Sequence, residues 1–142
     1  MTEADLPAIM VLEQQNPGAW NETQLRDELA QPAGWQWLAR GEDGAISGYL
    51  IGRTVIDEAE ILRLAVAADK RRQGVAQDLL RHAFTTLLNK RVTSCFLELR
   101  ASNDIARALY EKNGFTANGL RKNYYHAPRE DAVVMNKSLT NS

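Results

Sequence analysis

Glu98 is a carboxylate in the middle of an otherwise apolar run, Thr93-Ser-Cys-Phe-Leu-Glu-Leu-Arg100. Read as a strand, the run places Cys95, Leu97 and Leu99 on one face and Phe96, Glu98 and Arg100 on the other. Such a glutamate is either a solvated or arginine-paired surface group, or a cleft residue suited to accept a proton. Tyr110 ends the segment Asn103-Asp-Ile-Ala-Arg-Ala-Leu-Tyr110, where helical spacing makes Ile105 and Leu109 the core stripe and sets Tyr110 at its edge. It reads as a packing tyrosine with a wet hydroxyl or as a proton donor. The third cluster is Asp69-Lys-Arg-Arg-Gln-Gly-Val-Ala-Gln77, which lies between a strand-like run and a long helical one. Backbone N–H groups at a helix start, a glycine for close approach, and Arg71 and Arg72 beside it suit a phosphate or pyrophosphate. On charge and glycine alone, a solvated loop is an equal reading.

The order of elements decides how these residues meet. Leu6, Ile9, Met10 and Leu12 fall near one helical face, and Asn21-Glu-Thr-Gln24 carries an N-cap with a glutamine three residues on, so two N-terminal helices are predicted. Trp35–Ala39, Ala45–Thr54 and Glu60–Val66 read as an antiparallel meander, turned at Gly41–Gly44 and at Asp57-Glu58. Val75, Leu79, Leu80, Ala83, Phe84 and Leu87 then recur at helical spacing from Gly74 to about Asn89. A strand over Thr93–Arg100, a helix from Asn103 to Asn113 ended by Gly114, and strands over Phe115–Leu120 and Asp131–Leu139 complete the chain. The expectation is one domain over residues 1–142, α/β (α+β), with a mixed central sheet of about six to seven strands and flanking helices. At least one parallel pair must span a crossover helix, and a cleft can open where parallel neighbours part.

Composition excludes several alternatives. Lys+Arg 17 against Asp+Glu 18 gives a net charge of -1, too little positive field for a nucleic-acid backbone. No apolar run reaches the roughly 18 residues that would span a bilayer, and Met1-Thr-Glu-Ala-Asp5 lacks the basic start of a signal peptide. A cytoplasmic location is therefore expected. Cys95 is the single cysteine, which leaves no internal disulfide and no cysteine-cluster metal site. It lies on the opposite strand face from Glu98 and has no histidine nearby in sequence, so a covalent route through it is disfavoured. The histidines are His82 and His126, Trp35 and Trp37 share a strand face and read as core, and adjacent Tyr124 and Tyr125 are expected on opposite faces.

Arg71, Gly74 and Ala76, placed between a strand and a long helix, resemble the coenzyme signature of the GNAT superfamily of N-acetyltransferases, Gln/Arg-x-x-Gly-x-Gly/Ala. Leu97-Glu-Leu-Arg-Ala-Ser-Asn103, Ala108-Leu-Tyr-Glu-Lys-Asn-Gly-Phe115, Arg121-Lys-Asn-Tyr-Tyr125, Arg129-Glu-Asp-Ala132 and Met135 resemble its RimI branch, which acetylates the N-terminal alanine of a small-subunit ribosomal protein. That resemblance implies a GNAT fold and acetyl-CoA as co-substrate, with no metal. The pantetheine arm would lie along the backbone of Leu64, Ala65 and Val66, and the pyrophosphate in a cradle of Arg71, Arg72, Gln73, Gly74, Val75, Ala76 and Gln77. It implies Glu98 as general base, Tyr110 as general acid, Asn103 as a coenzyme contact, and the N-terminal peptide of a ribosomal protein as partner. The segment Gln14–Trp20 departs from the RimI pattern, and an alanine at position 76 would carry a cost if that position needs positive φ.

Direct transfer needs a neutral amine. An α-amine with pKa near 8 is about one-tenth neutral at pH 7, whereas a lysine is neutral to roughly a few parts in ten thousand, so one glutamate suffices for the first. Two other readings stay open: a GNAT enzyme for lysine or a small-molecule amine, and a coenzyme A-binding sensor without catalysis.

Overall fold

The computed structural model describes residues 2–15, 20–126 and 129–139. Among these residues the chain forms four helices, α1 (Leu6–Glu13), α2 (Glu22–Leu29), α3 (Val75–Asn89) and α4 (Asp104–Lys112), and six strands. The strands are β1 (Gly34–Arg40), β2 (Ile46–Val55), β3 (Glu58–Val66), β4 (Ser94–Arg100), β5 (Thr116–His126) and β6 (Arg129–Ser138). They build one sheet in the order β1-β2-β3-β4-β6-β5. β1, β2 and β3 form the antiparallel meander, and β3 and β4 are the parallel pair joined through α3.

Each expected helix is present, and its ends follow local chemistry. Asn21 accepts from the Gln24 backbone N–H at 2.8 Å while the Gln24 side chain accepts from the Asn21 N–H at 2.8 Å, a reciprocal cap that starts α2. Asn103 caps α4 by accepting from the Ala106 N–H at 3.1 Å, and Gly114, at φ 96°, ends it. The second hairpin, between β2 and β3, turns one residue earlier than expected, through Ile56 at φ 58°. The fifth strand runs to His126, well past the Leu120 expected from hydropathy, because its outer half is an exposed edge of the sheet with a polar sequence.

Two cores sit on the two faces. Leu79, Leu80, Ala83 and Leu87 of α3 and Tyr110 of α4 pack on Leu50, Ile61, Leu97, Leu99 and Met135. Leu6, Ile9, Leu12 and Leu25 of α1 and α2 pack on Tyr49, Ile51 and Ala65 of the opposite face. One helical expectation is corrected: Ile105 is 88% exposed, and Ala106, Leu109 and Tyr110 face the core instead. The cap at Asn103 sets the phase of α4, and that phase turns Ile105 outward despite its hydropathy. Trp35 and Trp37 do share a face, with ring centroids 4.6 Å apart, and Trp37 meets His82 edge-on at 5.5 Å. No described helix is long and apolar enough to cross a membrane.

Candidate active site

The parallel pairing of β3 and β4 lasts for only four rungs, from Glu58↔Ser94 to Ile61↔Leu97. Beyond that rung Leu62–Val66 and Glu98–Arg100 no longer pair with each other, each keeping only its outer neighbour, so the sheet forks. The cause is a bulge: against β2 the register passes from Gly52↔Ile61 to Ile51↔Arg63, which leaves Leu62 as an extra residue that bends β3. Leu64, Ala65 and Val66 still pair with β2 along one edge, opposite Leu50, Tyr49 and Gly48. Their other edge lines the fork and is shaped to accept an extended ligand with its own N–H and C=O groups.

The anion stretch stands at the upper end of that edge. A single 3-10 turn, Ala68–Lys70, leads into exposed Arg71 and Arg72, and the Gln73 amide donates to the Asp69 carbonyl at 3.1 Å. Gly74, at φ 84°, is the residue from which α3 starts, and no side chain caps the helix there. Val75, Ala76 and Gln77 form its first turn, so their N–H groups and the positive end of a 15-residue helix point into the same loop. A Cβ at Gly74 would meet nothing within 4 Å, so the glycine serves its backbone angle and leaves open space where a phosphate would approach. The position that needs positive φ beside it is Arg72, at 64°; Ala76 is helical and carries no such cost. Gly74→Ala is accordingly expected to lower stability by about 1 kcal/mol and to raise KM for acetyl-CoA several-fold, read by thermal melts and steady-state kinetics. Asn103 has its Oδ1 engaged in capping α4, which leaves its amide nitrogen for any ligand.

Glu98 stands on β4 just past the last paired rung, with its side chain 11% exposed. Arg121 Nε reaches the Glu98 Oε1 at 3.2 Å, the arginine pairing that is one of its two expected readings. Arg121 also lies over the Tyr124 ring, 5.3 Å from its centroid, and Arg100 over the Tyr125 ring at 4.4 Å. The two tyrosines do not take opposite faces. A register shift between Arg121 and Tyr125, with Asn123 at φ 54°, breaks the alternation and brings their rings to 5.2 Å in an edge-on contact. The charge of Glu98 raises the Tyr124 phenol, and burial followed by that same charge raises Tyr125.

Tyr110 is 7% exposed and meets Phe115 edge-on at 5.4 Å. Burial raises its phenol well above the ordinary value, so it is protonated at neutral pH, as a free tyrosine also is, and gives up that proton less readily. Cys95 is wholly buried and its thiol is pushed up to about 12, which makes it a poor nucleophile. His126 is exposed at the end of β5.

Sequence reading missed a second polar cluster. Glu13 of α1 is 0% exposed yet accepts from Arg63 Nη2 at 2.7 Å, Arg63 Nε at 3.1 Å, the Trp20 N–H at 2.8 Å and the Tyr49 hydroxyl. Arg63 also lies 5.3 Å from the centroid of the Trp20 ring. The cluster ties α1, and Trp20 where the chain re-enters before α2, to the β3 segment that lines the fork. Nothing in the local sequence pairs Glu13 with Arg63, because the contact is made only by the fold. Of the divergent Gln14–Trp20 segment, residues 16–19 lie outside the described residues.

Residues 6–115 match the Acetyltransferase (GNAT) family, and the chain belongs to it. The chain is 37% identical over 136 residues to the [Ribosomal protein bS18]-alanine N-acetyltransferase of Escherichia coli K12, an alignment covering 92% of this chain and 89% of that one. The crystal structure of the ribosomal-protein-S18-alanine N-acetyltransferase from Escherichia coli superposes with a TM-score of 0.90 at 32% identity, covering 100% of this chain and 92% of that one. A nourseothricin acetyltransferase shares the fold at a TM-score of 0.71 and 24% identity over 77% of this chain and 67% of its own. The fold alone therefore does not choose the acceptor.

Proposed function

We propose that this chain transfers the acetyl group of acetyl-CoA to the α-amine of a protein N-terminus, the N-terminal alanine of the small-subunit ribosomal protein bS18. The observation that carries the reading is the fork between β3 and β4, with an open strand edge on one side and Glu98 on the other, in a chain 37% identical to a bS18-alanine N-acetyltransferase.

In this reading acetyl-CoA supplies the activated acetyl group. The backbone edge of Leu64, Ala65 and Val66 holds the pantetheine arm, and Arg71 through Gln77 hold the pyrophosphate, which the uncapped start of α3 and the open space at Gly74 fit. Glu98 takes the proton from the acceptor amine, directly or through one water, and Arg121 orients its carboxylate. Tyr110, whose phenol is protonated at neutral pH, gives its proton to the departing thiolate. Tyr124 and Tyr125 stand on the acceptor side and supply a wall for the peptide.

Coenzyme A release, measured with a peptide bearing a free N-terminal alanine, an N-blocked peptide with an internal lysine, and a polyamine, tests the reading. Turnover confined to the free alanine is expected. Turnover on lysine or the polyamine would replace the acceptor, and coenzyme binding without any turnover would replace the enzyme by a sensor.

A further inference from the structure

Glu60 is a second carboxylate at the fork. It pairs with Phe96 one rung below the last paired residues, Ile61 and Leu97, and Glu98 is the first residue above them on β4. Residues paired across a ladder share a face, and residues two apart on a strand do too, so Glu60, Phe96 and Glu98 face the same way. The two carboxylates thus straddle the point where the strands part.

The guanidiniums nearest them already have partners. Glu60 is opposite Arg53 on β2, but Arg53 is bound by Glu28 of α2 through its Nε at 2.9 Å and a second contact from Nη2. Arg121 is engaged by Glu98. Among the described residues the Glu60 side chain has no hydrogen bond or ion pair, although it is partly buried. The charged groups acting on it are Glu98, Arg53, Arg121 and Glu28. Both guanidiniums acting on Glu60 are thus held by other carboxylates.

We infer that Glu60 is an acceptor-binding residue that holds the protonated α-amine between itself and Glu98, so that the enzyme selects a cationic acceptor and deprotonates it in place. The inference rests on the acceptor-side reading of the fork given above. Burial, then the facing Glu98 charge, raises the Glu60 carboxyl above its ordinary value, a penalty that an ammonium group set between the two carboxylates relieves. At pH 7 about nine-tenths of an α-amine is protonated, so a site that binds this form draws on the abundant species. The proton then passes from the ammonium nitrogen to Glu98, while Glu60 keeps its charge and loses only its partner. Acetylation removes the positive charge altogether, and Glu60 therefore favours substrate over product.

The test is a binding cycle on the coenzyme A-loaded enzyme, which needs no turnover. Wild type and Glu60→Gln are titrated with a peptide beginning in alanine and with the same peptide beginning in a propionyl group, which lacks the ammonium. Loss of Glu60 should weaken binding of the alanine peptide about tenfold, loss of the ammonium by more than that because it forfeits Glu98 as well, and loss of Glu60 should add little once the ammonium is gone. Glu60→Gln should bind the propionyl peptide as wild type does, raise KM for the alanine peptide about tenfold, and leave kcat within about threefold. Equal losses on both peptides would make Glu60 merely structural and overturn the inference, as would equal binding of both peptides by wild type. Failure of the acceptor reading is separately visible: wild type would then acetylate the lysine peptide or polyamine and not the free alanine.

Discussion

Glu98→Gln should lower kcat/KM on a peptide with a free N-terminal alanine by roughly 10²- to 10⁴-fold, the range of a positioned general base. Glutamine keeps the shape and can still meet Arg121, which now reaches the carboxylate at 3.2 Å, but it cannot take a proton. The fold should survive, because glutamine fills the same volume and Glu98 belongs to neither hydrophobic core. KM for acetyl-CoA should hardly move, since Glu98 stands on β4, across the fork from the Leu64–Val66 edge and the start of α3. A loss of less than about tenfold would assign the proton to another group. Measuring the residual rate against pH sharpens the result: a variant without its base should gain steadily as the free amine fraction rises toward the α-amine pKa near 8.

Glu13→Ala should destabilise the protein by about 3–5 kcal/mol, the cost of removing one partner from a buried ion pair. The wholly buried carboxylate holds Arg63 through two nitrogens, at 2.7 and 3.1 Å, together with the Trp20 N–H and the Tyr49 hydroxyl. Tyr49 is itself 0% exposed, so its hydroxyl would lose its acceptor with no access to water. For a chain of this length the loss corresponds to a fall in Tm of about 10 °C or more. The pH dependence has a definite sign. Burial alone would raise the Glu13 carboxyl, but hydrogen bonds from Arg63, Tyr49 and the Trp20 N–H outweigh it and hold the group below its ordinary 4.5. A carboxyl depressed in the folded state contributes stability that is complete above about pH 4.5 and is lost as pH falls through the folded value. Wild type should therefore lose more stability than Glu13→Gln on acidification below that point. Parallel acid titrations of the two would show that the carboxylate is not charged in the native state.

Two ion-paired clusters flank the fork. Glu13 and Arg63 fix the α1 side of β3, while Glu98 and Arg121 join β4 to β5, and the bulge at Leu62 lies in β3 beside the first. In both clusters an arginine with 20% or 57% of its side chain exposed holds a carboxylate that is nearly out of solvent. The carboxylates keep their orientation because their partners can reach water.

Much of this architecture is written locally in the chain. The α3 boundaries, the reciprocal cap of Asn21 and Gln24, the cap at Asn103 and the alternation that buries Cys95, Leu97 and Leu99 each depend on residues within a few positions of one another. Periodicity and capping chemistry act over that range, so the elements and their order were legible without a structure. The parts that were not legible are set by register and by distant partners. Only the fold shows that β3 and β4 stop pairing after Ile61 and Leu97, that a bulge at Asn123 turns Tyr124 toward Tyr125, and that the phase of α4 exposes Ile105. Glu13 meets Arg63, and Glu60 comes to face Glu98, across separations that no local pattern encodes. Hydropathy and caps choose each element from its own residues, whereas a charge acquires its partner and a strand its neighbour only when the sheet is assembled.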